Sequence, residues 1–442
     1  MKSVTLMEIL QAREDRVRRQ GELLTQYQKP LICFTMNIAG PVKTDPQIER
    51  GFREGCRALE QQLLRCRLPV LLREQTVAAT GCEAFYAVDA PAEQLKALTV
   101  ELEEGTALGR LYDLDVLTAD GKKLERSGEE RACLICGKPG RACVRSRAHS
   151  VEELQAKTHE ILKTALDALD RETVAELAQR ALLYEVCVTP KPGLVDRNNA
   201  GSHRDMDIYT FLSSAASLYS YFARCAEIGR ETAQEPPKTT FRALRWPGKL
   251  AENAMLASTG GVNTHKGAIF TMGVICGALG RLDRTDWAKP ETVLQTCAAM
   301  TAGLTTGDFA GVTEETAVTA GERLYARYGI TGIRGQMEEG LPAVLHHGLP
   351  ALEAWLELGA TPDEAGAAAL LALIEHTQDT NLIARGGMEG VRWAADVVKK
   401  TQDLLELDQW FIQRNLSPGG CADLLAVCWL FHFLKHFDQS RL

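Results

Sequence analysis

The sequence has 442 residues, 45% of them hydrophobic and 24% charged. That is the balance of a globular chain long enough for two or three ordinary domains. Its 58 acidic and 50 basic side chains leave a formal charge of −8, which argues against non-specific binding to nucleic acid.

The opening "MKSVTLMEILQARED" has neither the apolar core nor the cleavage site of a signal peptide. No apolar run reaches membrane-spanning length without a charge, so a cytoplasmic location is expected. Residues 6–24 carry helical apolar spacing. "PLICFTMNIAGP" (30–41) is a strand candidate. Residues 47–66 return to helix with Ile48, Phe52, Cys56, Leu59 and Leu63 on one face. Residues 69–90 read as two strands about a turn at Gly81, and "PAEQLKALTVELEE" as a helix opened by proline. "GRLYDLDVLTADGKKLERS" reads as a strand, an Ala-Asp-Gly turn and a second short strand. From about residue 151 strand signals nearly vanish. Helices are expected at 211–228, 250–280, 291–304, 314–328, 363–377, 387–406 and 421–437, with a surface loop at 231–240. A domain boundary is expected near 150–170, dividing an α/β N-terminal domain from a larger all-α domain.

In the first domain, "RLYDLDVL" (110–117) places Asp113 and Asp115 on one face of a strand, with Tyr112, Leu114 and Val116 on the other. Their Cα atoms then lie roughly 7 Å apart, close enough to share Mg²⁺ and its waters. The plainer alternative is an exposed edge strand carrying two acids. "CLICGKPGRACVRSRAHS" (133–150) follows, with Cys133, Cys136, Cys143 and His149 at spacings able to hold a structural Zn²⁺. The alternative there is a cysteine-rich turn packed under a helix. Arg145 and Arg147 beside it suit phosphates. Most of the 13 cysteines, this cluster apart, are expected to be buried as small apolar groups.

In the second domain, "YEVCVTPKPGLVDRNNAGSHRDMD" (184–207) breaks the helical texture with prolines, glycines and acids. One helix cap needs one Asp, so the surplus points to a metal and phosphate platform. Polar interruptions recur in "GGVNTHKGAIF", "TTGDFAGVTEET", "GIRGQMEEGLP", "HTQDTNLIARGG" and "NLSPGGCADLL". Together they point to a shared pocket at helix ends, where N-termini and Lys266 could face an anion. No GxxxxGK[ST] occurs and no GxGxxG follows a strand, so a nucleotide would bind without a Walker or Rossmann loop.

"TPKPGLVDRNNAGSHRDMD", "GVNTHKGAIF", "GERLYARYGITGIRG", "DTNLIARGG" and "LSPGGCADLLA" together resemble triphosphoribosyl-dephospho-CoA synthase, from about residue 170 onward. "LQAREDRVRRQ", "NIAGPVK", "GRLYDLDVL" and "RACLICGKPGRACVRSRAHS" resemble the phosphoribosyl-dephospho-CoA transferase that modifies the citrate lyase acyl carrier subunit. The whole chain looks like the fused, bifunctional CitX–CitG type. Gln336 departs from the pattern, standing where an acid is expected. The resemblance implies a nucleotidyltransferase-like mixed sheet over 1–165 and an all-α synthase domain over 166–442. It implies two reactions. In the first, the 2′-hydroxyl of 3′-dephospho-CoA attacks the ribose C1 of ATP and adenine leaves. In the second, the product is joined to a serine of the citrate lyase γ (acyl carrier) subunit, expelling pyrophosphate.

On that reading Asp113 and Asp115 hold Mg²⁺ on the leaving pyrophosphate. Asp196, Asp205, Asp207, Asp308 and Glu314 supply the base and metal ligands of the synthase, with Asp205, Asp207 and Asp308 on Mg²⁺. Lys191, Lys266, Arg334 and Arg385 hold phosphates, and Asn199, His203, Asn263, His265, Asp379 and Ser417 complete the nucleotide site. Two other readings are a hydrolase of ADP-ribosyl or nucleoside bonds, with water as the acceptor, and a non-catalytic citrate lyase adaptor.

Overall fold

A computed structural model describes residues 3–126, 130–401 and 403–437. Two compact units divide at Leu169/Asp170.

The first unit runs α1 (Leu6–Tyr27), β1 (Leu31–Met36), α2 (Pro46–Arg65), β2 (Val70–Ala78), β3 (Gly81–Val88), α3 (Ala92–Gly105), β4 (Tyr112–Leu117), α4 (Gly140–Ser146) and the start of α5 (Val151–Cys187). The strands form one sheet in the order β2-β3-β1-β4, antiparallel in all three pairings. Alternation along β1 sends Ile32 and Phe34 to the larger core, where the expected α2 stripe Ile48, Phe52, Cys56, Leu59 and Leu63 packs with Leu95 of α3. Leu31 and Cys33 point the other way and join Phe85, Ala87, Leu117 and Leu23 of α1. Pairing of β1 with β4 sets Thr35 opposite Asp113 and Cys33 opposite Asp115. The two acids therefore continue the Leu117 face, beyond the patch that α1 covers.

The second short strand expected after the Ala-Asp-Gly turn shrinks to a single bridge between Leu117 and Lys123. The outer edge of β4 is satisfied by side chains instead. Glu103 accepts from Leu114 N at 2.8 Å and Arg131 donates to Tyr112 O at 2.8 Å. An edge whose backbone groups are already bonded has little need of another strand.

The second unit completes α5 and continues with α6 (Ile208–Ser217), α7 (Tyr219–Glu231), α8 (Pro237–Ser258), α9 (Lys266–Arg281), α10 (Pro290–Thr301), α11 (Leu304–Asp308), α12 (Ala320–Tyr328), α13 (Gly332–Glu338), α14 (Leu349–Glu357), α15 (Pro362–His376), α16 (Thr380–Lys400), α17 (Leu404–Gln413) and α18 (Gly419–His436). Helices α9 and α18 are apolar nearly all round and lie in the core. Glycine lets α7 and α9 touch backbone to backbone: a Cβ on Gly229 would meet Gly277 O at 2.1 Å.

Several boundaries differ from the expected ones. The 211–228 helix divides at Leu218 into α6 and α7. The 250–280 helix is two, separated where Gly260 and Gly261 take φ of +66° and +94°. Pro237 opens α8 inside the expected 231–240 loop, since proline presets the first helical φ. Helix α16 starts at Thr380 because Asp379 caps it, and it absorbs Gly387 as a kink at φ +63°. The short helices α13 and α14 were not expected.

Helices α14 and α18 are tied by Glu353, which accepts from His432 Nδ1 and Lys435 Nζ, each at 2.8 Å. Burial pushes this carboxyl up, but the two bonded partners outweigh it and hold it at about 2. A carboxylate held low contributes stability above its unfolded value and loses it as pH falls through the folded value. Glu353→Gln is therefore expected to cost roughly 1–2 kcal/mol at pH 7. In urea unfolding the gap to wild type should close between about pH 4.5 and about pH 2; a gap independent of pH would contradict the linkage.

Candidate active sites

In the second unit the N-termini of α9, α16 and α18 converge on one cavity of about 290 Å³. Close approach depends on glycine. Asp379 caps α16 through Asn381 N (2.7 Å) and Leu382 N (3.1 Å), and its other oxygen accepts from Cys421 N of α18 (2.8 Å). One carboxylate thus joins two helix starts, and a Cβ on Gly419 would meet Asn381 Nδ2 at 2.8 Å. Asp423, in the first turns of α18, accepts from the Ala268 N–H of α9. A Cβ on Gly267 would lie 1.9 Å from Asp423 Oδ2. Three helix starts aim partial positive charge at the same space, which suits an oligophosphate.

Three carboxyls line the cavity: Glu185, Asp379 and Asp423. Burial pushes all three up, and for Asp423 the charges on Glu185 and Asp379 add to it. Their commitments differ. Asp379 is taken by three backbone N–H groups, and Glu185 accepts from buried Lys191 at 2.5 Å. Asp423 is bonded to one N–H and, unlike Glu185, has no ion-pair partner among the described residues.

Three polar atoms in the lining are buried with no hydrogen-bond partner: His265 Nε2, Gln336 Oε1 and Thr377 Oγ1. The state of His265 follows from its other nitrogen. Thr264 Oγ1 donates to Ser214 Oγ at 2.8 Å, and Ser214 Oγ lies 2.7 Å from His265 Nδ1. The Ser214 proton then goes to Nδ1, and Nε2 carries the imidazole hydrogen. Burial, helped by Lys191, drops this histidine to about 3. It is a neutral donor at physiological pH.

Of the residues expected in the synthase site, Lys191, His203, Asn263, His265, Lys266, Asp379, Arg385 and Ser417 line the cavity. Lys191 is 1% exposed and spends its charge on Glu185; Arg385 and Lys266, the latter exposed and paired with Glu252 at 3.1 Å, are the more accessible cations. His203 bridges Ser417 Oγ (2.9 Å) and Arg385 Nη2 (3.3 Å).

The other expected residues lie outside the lining. Asp196 folds its own loop, accepting from Lys191 N, Asn198 N and Asn199 N at 2.7–3.0 Å. Asn199 donates to Asp408 at 2.8 Å. Asp205 is exposed, and Asp207 is the exposed N-cap of α6, accepting from Thr210 N at 2.9 Å. Asp308 pairs with Arg245 and with Arg334, and Glu314 is exposed. The surplus acids of 184–207 thus mostly satisfy backbone groups, because a loop rich in proline and glycine supplies few hydrogen bonds of its own. Sequence reasoning placed Asn381 and Asp423 among the polar helix ends but gave neither a role in the site, and it left out Glu185. The available signal was an acid within an otherwise apolar helix, "YEVC" and "CADLLAVCWLF".

In the first unit Asp113 and Asp115 line a cleft of about 1310 Å³ together with Arg110, Arg131, Arg145 and Arg147. Asp115 is bonded to Lys123 at 2.6 Å while Asp113 is exposed. Arg110 Nε is buried without a partner. Two acids among several arginines suit a metal-bound diphosphate.

Known families match each unit. The family described as ATP:dephospho-CoA triphosphoribosyl transferase, CitG, matches residues 171–441, and the apo-citrate lyase phosphoribosyl-dephospho-CoA transferase family, CitX, matches residues 4–165. Protein CitXG of Haemophilus influenzae is 34% identical over 97% of this chain and 96% of its own. The chain belongs to the fused CitX–CitG family. Protein CitXG of Leuconostoc mesenteroides subsp. cremoris is 31% identical over 96% of each chain. The 2-(5''-triphosphoribosyl)-3'-dephosphocoenzyme-A synthase of Pectobacterium atrosepticum is 40% identical over 60% of this chain and 90% of its own. Like the family, this chain is a bifunctional transferase. Its CitG part makes the triphosphoribosyl-dephospho-CoA group from ATP and 3′-dephospho-CoA with release of adenine. Its CitX part attaches the phosphoribosyl-dephospho-CoA group to the citrate lyase acyl carrier with release of pyrophosphate. Neither the hydrolase nor the adaptor reading is favoured by these relatives. Among the described residues no helix is long and apolar enough to cross a membrane.

The CitG cavity makes one steric prediction. In Gly267→Ala the new methyl would displace the Asp423 carboxylate. Adenine release should fall by about 10²-fold or more with the circular dichroism spectrum unchanged. A rate within about twofold of wild type would show that Asp423 need not sit against α9.

Proposed function

We propose that the cavity ringed by α9, α16 and α18 holds ATP for attack at its ribose C1, and that Asp423 is the base. The observation that carries this reading is that His265 Nε2, a donor, and Gln336 Oε1, an acceptor, are both buried and unpartnered in a chamber that also gathers three helix N-termini and three carboxyls. A neutral N–H donor and an amide acceptor in one chamber suit the N7 and N6–H₂ edge of adenine. Gln336 then serves as an acceptor for the base where an acid would meet the electron-rich ring.

The step balances simply. Asp423 takes the proton of the dephospho-CoA 2′-hydroxyl as that oxygen bonds to C1. The C1–N9 bond breaks, its electrons leave with adenine, and the departing base takes up one proton from solvent in place of the one Asp423 accepted, so neutral adenine is released. Positive charge growing on the ribose is stabilised by the carboxylates. The His265 N–H at N7 withdraws charge from the departing base, and imidazole acts as a hydrogen-bond donor because it cannot be charged at neutral pH. Lys266, Arg385 and the three helix starts take the triphosphate. Mg²⁺, when bound, neutralises phosphate charge here and, with Asp113 and Asp115 in the CitX cleft, on the leaving pyrophosphate. The carrier serine presents its hydroxyl to that second cleft, where Arg110, Arg145 and Arg147 hold the phosphates. Thirteen free cysteines support a reducing, cytoplasmic setting.

The test mixes the purified chain with ATP, 3′-dephospho-CoA and Mg²⁺ and follows adenine by chromatography. His265→Ala should lower dephospho-CoA-dependent adenine release by about 10²-fold. Release of free ribose 5-triphosphate at the same rate without dephospho-CoA would instead mark a hydrolase.

A further inference from the structure

Cys133, Cys136, Cys143 and His149 each offer one ligand atom, and all four atoms lie within 4.8 Å of one another. Tetrahedral zinc with thiolates at about 2.3 Å separates its sulfurs by about 3.8 Å; Cys136 and Cys143 stand 3.4 Å apart. The backbone builds this convergence from a turn, a short helix and a chain reversal. Cys133 N donates to Lys138 O at 2.7 Å and Gly137 N to Cys133 O at 3.1 Å, with Gly137 at φ +70°. That tight turn sets Cys133 and Cys136 on one side. Helix α4 brings Cys143. Arg147, at φ +47°, then reverses the chain and delivers His149 just ahead of the Ser150–Glu153 capping box of α5.

A second observation is independent of ligand geometry. Not one described side chain between residues 130 and 150 is fully buried. The segment has no core of its own, yet its turns are defined. Segments of this kind are held by a metal or a disulfide in place of apolar burial. A third observation is that His149 Nε2 is buried with no hydrogen-bond partner, as befits a nitrogen whose lone pair is reserved for a cation.

We infer that this chain binds a structural zinc ion through Cys133, Cys136, Cys143 and His149, and that the ion fixes the arginine-bearing segment which walls the CitX cleft. Four protein ligands close the coordination sphere, so the ion is structural and holds no substrate. Arg131, Arg141, Arg145 and Arg147 all line the cleft of Asp113 and Asp115. Without the ion the turn of Cys133 and Cys136 is no longer tied to α4 and His149, and phosphate binding weakens. This consequence rests on the transfer reading of that cleft; the metal site itself does not.

The experiment uses the full chain and measures zinc by mass spectrometry, with cobalt reconstitution as a second readout. Wild type is expected to hold about one zinc per chain and, when reconstituted with cobalt, to show thiolate-to-metal charge-transfer absorption. Cys143→Ser should lose both signals. Its carrier loading should fall at least tenfold while adenine release stays at the wild-type rate, which shows that the variant is folded. Two controls should keep their zinc: Cys66→Ser, an exposed thiol elsewhere, and His432→Ala, from the other cluster of potential ligands, Glu353, His432 and His436. A Cys136–Cys143 disulfide in metal-free wild type would overturn the site. So would zinc that survives Cys143→Ser and disappears in His432→Ala. Zinc lost with carrier loading unchanged would overturn the role given to the arginine segment and leave the metal site standing.

Discussion

Asp423→Asn is expected to lower dephospho-CoA-dependent adenine release by about 10²–10⁴-fold, the usual contribution of a positioned general base. Carrier loading from prosthetic group supplied ready-made should continue at the wild-type rate, because that chemistry belongs to the other family's residues, 4–165. The substitution keeps the shape and the bond from Ala268 N–H, so it removes proton acceptance and leaves the fold alone. The pH profile is a further signature. Burial, together with the charges on Glu185 and Asp379, pushes the Asp423 carboxyl well above the ordinary carboxylate range. A base must be unprotonated to act, so the rate should fall as pH drops through that raised value. The acid limb in wild type then lies at higher pH than an exposed aspartate would give. Asp423→Glu should retain part of the rate. If Asp423→Asn reacts within about threefold of wild type, the base is another group and the reading of the cavity fails at its centre.

Replacing Asp113 and Asp115 together with Asn should abolish carrier loading to within measurement, an expected loss of about 10³-fold or more for removing metal ligands at a leaving diphosphate. Adenine release should be unchanged. The two acids project from the face that pairs through Thr35 and Cys33, while the apolar residues between them stay in the core, so the double change leaves β4 packed. Of the two, Asp113 should matter more at low Mg²⁺, since Asp115 already carries an ion pair with Lys123. A doubly substituted chain that loads carrier normally would refute metal binding at this strand.

The two chemistries were legible to different depths. Alternation in "YDLDVL" is a local property of a strand, and the structure keeps it: Tyr112, Leu114 and Val116 are buried and the acids face the cleft. The α2 stripe was equally local, as was the grouping of cysteines at 133–149. The synthase site was only half legible. Its helix starts could be recognised, because cap and glycine signals sit within a few residues of each other. Which acids enter the cavity could not be recognised. Asp207 and Asp379 carry the same local signal, an Asp before a helix. One caps an exposed helix start, and the other is buried between two helices. Asp308 looks as available as Asp423 along the chain, yet Arg245 and Arg334 reach it from α8 and α13.

By itself the sequence determined the α/β-then-α order of the chain, the strand that carries Asp113 and Asp115, the family resemblance, and the clustering of polar residues at helix ends. Each depends on neighbours a few positions apart, whose geometry the 2.0- and 3.6-residue periods already set. The tertiary structure alone decided that α9, α16 and α18 share one cavity, that Glu185 neutralises Lys191, that Asp423 keeps spare acceptor capacity, and that Asp196 and Asp207 spend theirs on backbone. A carboxylate's role depends on which donors reach it and how much water remains around it. Both are set by residues far away in the chain, brought close when the apolar faces of separate helices are buried together.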